Sequence, residues 1–421
     1  MVTPALTEED RAALAGERGA GTALAMRIVV ALAEATGAPR LIDVTRAHID
    51  GCLYHGRATL DFVERLVDGG ARVRIPTTLN VGSLDLLHPD LYRGDAATGA
   101  LARRTMDRYV ELGCSPTWTC APYQLPDRPA LGEHVAWAES NAIVFANAVL
   151  GARTARYGDF IDAAAAVTGR VPETGLHTDA GRRATVVVRV DGVAPERLRD
   201  PLVCAVIGTA LGDLVGSRIP AIVGLPGDTG EDALKALAAA AASSGSVALF
   251  HAVGVTPEAP TLDAVAAGAS LPEIVLEPSA LRAARARLTT AAGDSLAAVS
   301  VGTPHFSLSE FEDLVALLPE RPLAVPFYVS TGRDVLQRVE AAGWLPRLAA
   351  AGVTIVTDTC TYVTPILREP VEGAVMTNSA KWAWYAPGNL GVDVVFGSLA
   401  ECVGSAVAGR VVLDGDRWLD A

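Results

Sequence analysis

Three of the six cysteines stand in loops that could together build a metal site. Cys52, Cys120 and Cys360 lie far apart in the sequence, and each falls in a polar segment with nearby glycine, proline or threonine after an apolar run. In a parallel α/β sheet, the loops that leave the carboxyl ends of the strands share one edge, so remote residues converge there. Thiolates gathered in this way bind iron or zinc, and the cysteines alone leave the choice of metal open.

The remaining cysteines suggest other roles. Cys204 and Cys402 lie in apolar segments, where a free thiol is usually a core residue. Cys114 stands six residues before Cys120, a spacing that is not typical of paired ligands, so whether it serves as a reserve ligand is left open. Six unclustered cysteines in 421 residues predict reduced thiols and a cytoplasmic protein.

The elements that must position these cysteines alternate between strands and helices, as in β-α units around parallel sheets. Apolar runs at 40–44 and 73–75 predict strands on either side of a helix at 57–68. Cys52 then lies in the loop between the first strand and the helix. His305 follows a later apolar run and is interpreted as a structural histidine.

The alternation continues to the C-terminus and predicts several domains. A run rich in β-branched residues at 184–190 opens a second region. Further along, Ser307 and Glu310 have the spacing of a capping box at the start of a helix. The predicted domains are 1–180, with an N-terminal helical extension, Cys52 and Cys120; 181–275; and 276–421, with Cys360 and Lys381.

Composition and charge exclude several classes of protein. Half of the residues are apolar and 20% are charged, which fits a globular protein. A net charge of -13 argues against a nucleic-acid partner, because the phosphate backbone attracts basic surfaces. The first residues lack the pattern of a secretory leader, and no window holds the roughly 18 apolar residues of a membrane helix.

Longer motifs indicate a family. These segments are Thr117–Tyr123, Glu139–Asn141, Gly151–Thr154, His251–Ala259 and Thr377–Lys381. In their order along the chain they resemble the aconitase X family, and the matches extend from about residue 40 to the C-terminus. The resemblance implies an aconitase-like α/β fold of three domains with mainly parallel sheets around a central metal-site cleft.

The resemblance also implies the residues of the site. Cys52, Cys120 and Cys360 are the expected ligands of a [2Fe–2S] cluster, a [4Fe–4S] cluster or a mononuclear iron. Archaeal members have valine at the position of Cys52 and cysteine at that of Thr303, so the third thiolate has moved between loops. The residues expected to contact the substrate are Gly51, Leu53, Asn80, Val81, Arg153, Ser379 and Lys381.

The implied chemistry is the removal of water from a hydroxy acid by a hydro-lyase. An iron with an open coordination position would bind the leaving hydroxyl as a Lewis acid. Lys381 would stabilise the negative charge that develops when the α-proton is lost. The general base is expected on a small swivelling-domain subunit, so this chain is predicted to be the large subunit of a hetero-oligomer.

The expected reaction converts cis-3-hydroxy-L-proline to Δ1-pyrroline-2-carboxylate. One alternative is dehydration of another hydroxy acid, such as phosphomevalonate. An alternative of a different class is a non-catalytic iron-binding or regulatory protein.

Overall fold

Residues 3–368 and 371–419 are described by a computed structural model, in which the chain divides into two units. Unit 1 is formed by the described residues up to Leu84 together with Asp95–Arg183. Unit 2 is formed by Asp85–Gly94 together with the described residues from Ala184 onward. The domain boundary predicted at 180/181 lies close to the division between the units.

Unit 1 begins with two helices and continues with short strands and further helices. Its helices are α1 (Glu8–Ala15), α2 (Ala20–Thr36), α3 (Arg57–Asp68), α4 (Ala96–Glu111), α5 (Ser140–Phe145) and α6 (Ile161–Thr168). Its strands are β1 (Leu41–Asp43), β2 (Ala47–Ile49), β3 (Thr77–Leu79), β4 (Ala136–Trp137) and β5 (Arg170–Pro172).

The sheet that leads to Cys52 is parallel, but its strands differ from those predicted. Strands β3, β2 and β4 form it in that order. The run at 40–44 contains β1, which pairs with β5 in antiparallel fashion, and the strand before the Cys52 loop is β2. The strand predicted at 73–75 is wrong, because the backbone N–H groups of Val73 and Arg74 bond to the carbonyls of Leu112 and Ala166 instead.

Unit 2 alternates strands and helices along its length. Its strands are β6 (Val186–Val190), β7 (Pro220–Val223), β8 (His251–Ala252), β9 (Glu273–Leu276), β10 (Leu296–Phe306), β11 (Phe327–Thr331), β12 (Val353–Val356), β13 (Ala374–Thr377) and β14 (Val394–Phe396). Its helices are α7 (Pro201–Val215), α8 (Glu231–Ser244), α9 (Leu262–Ala266), α10 (Pro278–Arg287), α11 (Leu308–Leu317), α12 (Arg333–Ala341), α13 (Leu345–Ala351), α14 (Ala380–Leu390) and α15 (Leu399–Ala408).

Two parallel sheets organise unit 2. One has the strand order β8-β7-β6-β9, and the other has the order β12-β11-β10-β13-β14. The boundary predicted at 275/276 falls inside β9. The second sheet has a core of fully buried apolar side chains, among them Phe306, Phe311 and Phe327. Ser307 and Glu310 form the predicted capping box at the start of α11.

Helices α7 and α8 pack closely because small residues face one another. A β-carbon on Gly208 would lie 2.3 Å from the carbonyl oxygen of Leu237, and one on Gly212 would lie 2.0 Å from Ser244 Oγ. Only glycine allows this approach of the two backbones. In the described part of the chain, no helix has both the length and the apolar character that a membrane crossing requires.

Candidate active site

In unit 1, the predicted site residues follow adjacent parallel strands. The register pairs Ile49 at the end of β2 with Leu79 at the end of β3. The loops that carry Gly51–Leu53 and Asn80–Val81 therefore leave the sheet side by side, as expected for the carboxyl edge of a parallel sheet.

Cys52 lies in a buried pocket of backbone carbonyls. Its Sγ atom is 3.3 Å from the carbonyl oxygen of Asn80 and 3.4 Å from that of Val81. Burial raises the pKa of the Cys52 thiol well above its usual value, and the carboxylates of Asp50 and Asp162 raise it further. Without a metal, Cys52 is therefore a protonated thiol, whose single S–H donates to one of these carbonyls at a time. A metal ion would supply the positive charge that stabilises the thiolate.

A buried carboxylate that the sequence analysis did not single out holds the Cys52 loop. Asp162 Oδ2 accepts hydrogen bonds from the backbone N–H groups of Asp50, at 2.7 Å, and Gly51, at 3.3 Å. Asp162 is 0% exposed. The Asn80 side chain donates to Asp50 Oδ1, so the two loops are also joined to each other. An aspartate in the first turn of α6 is a common sequence feature, and only the fold reveals its partners.

Cys120 is also buried, and polar side chains fix its loop. The backbone N–H of Thr119 donates to the carbonyl of Leu79 at 3.0 Å, which keeps this segment beside β3. Asn141 Nδ2 donates to the carbonyl of Cys120 at 3.0 Å, and Tyr123 donates its hydroxyl to Asn141 Oδ1 at 2.6 Å. The Asn141 amide therefore ties the Cys120 loop to the start of α5.

Arg153 joins two segments of unit 1. Its guanidinium forms an ion pair with Asp179, and Nη1 donates to the carbonyl of His177 at 3.4 Å. These contacts fix the 177–179 segment. A role of Arg153 in substrate binding stays a prediction.

In unit 2, Cys360 lies beside a histidine. The Cys360 Sγ atom and a ring nitrogen of His305 are within 4.8 Å of one another, and both residues are buried. His305 Nε2 is 3.2 Å from the carbonyl oxygen of Thr359. Because a carbonyl oxygen only accepts, Nε2 carries a proton in this contact. Metal-binding histidines are commonly oriented by this kind of hydrogen bond, so the pair fits a metal centre.

The loop between β12 and Cys360 is held at two points. Asp85 accepts from the backbone N–H of Thr357 at 2.8 Å and from the Thr357 hydroxyl at 2.9 Å. Asp358 has a left-handed φ of 62° and forms a two-bond ion pair with Arg333, at 2.6 and 2.7 Å. The position of the Cys360 thiol is therefore set by charged side chains.

Ser379 and Lys381 lie where β13 leads into α14. Ser379 caps the helix by accepting from the backbone N–H of Trp382 at 2.9 Å, and its hydroxyl donates to the carbonyl of Thr303. Lys381 is 4% exposed. Ser379, Lys381 and Thr303 line one small cavity in unit 2. The structure thus brings together the two substrate residues predicted at this end of the sheet.

The fold and these residues define an α/β protein with buried cysteine and histidine donors that could hold a metal ion. The chain belongs to the aconitase X family: the models of the family's first, second and third domains match residues 3–180, 184–286 and 296–408. The chain is 32% identical to a crystal structure of Thermococcus kodakaraensis aconitase X in the holo-form, with a TM-score of 0.85 over 96% of this chain and 100% of that one. The predicted family and aconitase-like fold are confirmed.

Named relatives identify the class of reaction. A cis-3-hydroxy-L-proline dehydratase of Pseudomonas aeruginosa is 45% identical over 99% of this chain and 72% of its own length. A protein of the same name from Hypocrea jecorina is 40% identical over 96% and 69%. A phosphomevalonate dehydratase large subunit of Thermococcus kodakarensis is 35% identical over 90% and 94%. The chain is therefore a hydro-lyase, as predicted, and its family and Cys/His site indicate a metal or iron–sulfur cofactor.

Proposed function

We propose that this hydro-lyase removes water from cis-3-hydroxy-L-proline and forms Δ1-pyrroline-2-carboxylate. The observation that carries the proposal is the 45% identity to the Pseudomonas aeruginosa dehydratase over 99% of this chain. Identity to the phosphomevalonate dehydratase large subunits is lower, at 35% for the protein from Thermococcus kodakarensis.

The proposed metal ligands are Cys52, Cys120 and Cys360, which would hold a mononuclear iron or an iron–sulfur cluster. The hydrogen bond of His305 to the Thr359 carbonyl supports His305 as a further ligand beside Cys360. Thiolate and imidazole donors suit iron. When bound, the iron supplies Lewis acidity toward the leaving hydroxyl.

The protein groups would bind the acid and stabilise its charge. The proposed substrate contacts are Gly51, Leu53, Asn80, Val81, Arg153, Ser379 and Lys381. Loss of the α-proton leaves negative charge next to the carboxylate, and the buried ammonium of Lys381 would stabilise that charge. Burial strengthens the effect, since water screens the interaction less.

The proposed partner is a small swivelling-domain subunit that carries the general base. Support comes from the relatives that are named large subunits. All six cysteines are free thiols in the described part of the chain, which supports the proposed cytoplasmic location.

The test is an anaerobic preparation of the chain with and without the candidate small subunit. Iron and sulfide are measured, and a panel of hydroxy acids is assayed for loss of water. The proposal expects cis-3-hydroxy-L-proline to be the best substrate and the small subunit to be required. Preferred turnover of phosphomevalonate would overturn the substrate assignment. Full turnover by the chain alone would overturn the partner assignment.

A further inference from the structure

A buried ion cluster lies next to the cavity that Ser379 and Lys381 line. Lys235 projects from α8 and is 3% exposed. Its Nζ atom pairs with Glu310 and lies 3.1 Å from Asp232 Oδ1. Asp232 Oδ2 accepts from Ser307 at 3.0 Å and from Ser309 at 2.6 Å. A lysine this deeply buried is costly unless it is fixed among partners, so its ammonium has a defined position.

The cavity has polar walls and an unsatisfied hydroxyl. Lys235, Glu310, Thr303, Ser379 and Lys381 all line it. Thr303 is 3% exposed, and among the described residues its hydroxyl has no hydrogen-bond partner. A buried hydroxyl without a partner usually marks the place of a bound water or ligand oxygen. The first residues of α14 also face the cavity, and a helix N-terminus favours negative charge.

The size of the cavity limits what it can hold. Its volume is about 40 Å³. On the same measure one water needs about 10–15 Å³, so the space suits two or three waters or the two oxygens of a carboxylate. Two lysines, a threonine hydroxyl and a helix N-terminus in the lining outweigh its one carboxylate, Glu310, and favour an anionic ligand.

We propose that this cavity is the subsite for the carboxylate of the substrate, with Lys235, Thr303 and Lys381 as its donors. The inference rests on the proposed function, because it names the place where the hydroxy acid is anchored. Lys235 and Thr303 are new in this role. Glu310 holds the Lys235 ammonium at the cavity wall and is thereby a positioning residue.

The subsite lies beside a larger groove in unit 2. The groove has a volume of about 370 Å³, and Pro201, Glu310 and Asn378 line both spaces. The cavity and the groove thus adjoin along these shared residues. The rest of a small acid requires such room, since the cavity itself holds only the carboxylate.

The first test uses Thr303→Val, which removes the hydroxyl and keeps the shape. The control is Ser330→Ala, because the Ser330 hydroxyl is also buried without a partner in the described structure but does not line the cavity. Calorimetry on the metal-loaded protein measures binding of L-proline, which cannot lose a 3-hydroxyl, and of L-prolinamide, which lacks the carboxylate. Thr303→Val is expected to weaken L-proline binding about tenfold or more and to leave prolinamide binding unchanged.

Binding of acetate tests the subsite independently of the proposed substrate. Acetate presents only a carboxylate, so its binding tests the cavity whichever hydroxy acid the enzyme dehydrates. Stronger binding of acetate to the wild type than to Thr303→Val supports the subsite, even where turnover assays overturn the proposed substrate. Equal binding of acetate and L-proline to the wild type, Thr303→Val and Ser330→Ala would show that the cavity holds structural water only.

A second variant tests the lysine without leaving the Glu310 carboxylate unpaired, while Asp232 keeps its hydrogen bonds from Ser307 and Ser309. The double change Lys235→Met with Glu310→Gln removes both charges of the pair at similar volume. It is expected to lower the affinity for L-proline and acetate about tenfold or more while the thermal unfolding remains cooperative. Wild-type affinity in this folded variant would exclude Lys235 from the subsite.

Discussion

The Nε2–H group of His305 donates a hydrogen bond of 3.2 Å to the carbonyl oxygen of Thr359, the residue that precedes Cys360 in the chain. The hydrogen bond joins the end of β10 to the loop after β12, so a histidine of one strand is oriented beside a thiol that follows another. It also selects the tautomer whose Nδ1 can bind a metal.

We therefore expect His305→Gln to lower the iron content of the purified protein. Metal affinity typically falls about 10–100-fold when such an orienting contact is lost, and loss of a ligand costs at least as much. Iron per chain and the visible absorption spectrum are the measurements. His251→Gln is the control, since His251 is buried in β8 of the other sheet of unit 2. Equal iron in both variants would remove His305 from the site.

Cys52→Ser tests the predicted metal ligand in the loop after β2. A metal-bound thiolate at this position predicts a loss of iron, because a serine hydroxyl is a poor substitute for a thiolate. Cys114→Ser is the matched control, since Cys114 is likewise buried in unit 1 and was predicted only as a reserve ligand. Unchanged iron in Cys52→Ser with a loss in Cys114→Ser would reverse the two assignments.

The sequence predicts the α/β alternation well because long amphipathic helices carry strong local patterns. The helix predicted at 57–68 is α3, and the capping box of Ser307 and Glu310 is present. Short strands carry weaker patterns. Strand β2 has three residues, and the apolar run at 73–75 makes its backbone hydrogen bonds with residues near the ends of α4 and α6 instead of with a strand.

The site is harder to predict because its contacts join distant parts of the chain. The cysteines can be recognised as candidate metal ligands from their residue type alone. His305 has the local pattern of a core residue, and only the fold places the carbonyl of Thr359 beside it. Asp162 similarly bonds to the backbone of Asp50 and Gly51 only in the folded protein, and no local sequence motif predicts this contact.

Asp162→Asn is expected to loosen the Cys52 loop. The amide has one acceptor oxygen and an NH2 group that only donates, so it cannot accept from the backbone N–H groups of both Asp50 and Ala163 in the way the two carboxylate oxygens do. An unsatisfied buried donor costs about 1–3 kcal/mol, which predicts a lower thermal midpoint and faster alkylation of Cys52. Asp159→Asn removes the same charge at an exposed position nearby and should change neither. Slow, wild-type alkylation of Cys52 in Asp162→Asn would contradict the role of this carboxylate.

The raised pKa of Glu310 predicts that the stability of the protein depends on pH. Burial raises the pKa of Glu310 to about 7, and the nearby Lys235 opposes this rise. Because the folded protein then binds this proton more tightly than the unfolded chain, the stabilisation is complete below the unfolded pKa of 4.5 and is lost as the pH rises through about 7. The free energy of unfolding of the wild type should therefore fall by up to about 3 kcal/mol between pH 5 and pH 8 because of this group. Each unit by which the pKa is shifted corresponds to about 1.4 kcal/mol.

Glu310→Gln resembles the protonated carboxyl at every pH, so its thermal midpoint should fall less than that of the wild type over this range. The charges beside Glu310 stay constant there. Burial disfavours the charged forms of both Lys235 and Asp232. The carboxylates of Glu310 and Asp232 nevertheless raise the pKa of Lys235, and Lys235 together with the hydroxyls of Ser309 and Ser307 lowers the pKa of Asp232. Glu312→Gln is the control, since it removes one charge at an exposed position of α11 and should keep the wild-type slope. If the thermal midpoints of Glu310→Gln and the wild type change in parallel with pH, Glu310 keeps its charge throughout this range. The Glu310 carboxylate then takes up no proton between pH 5 and pH 8.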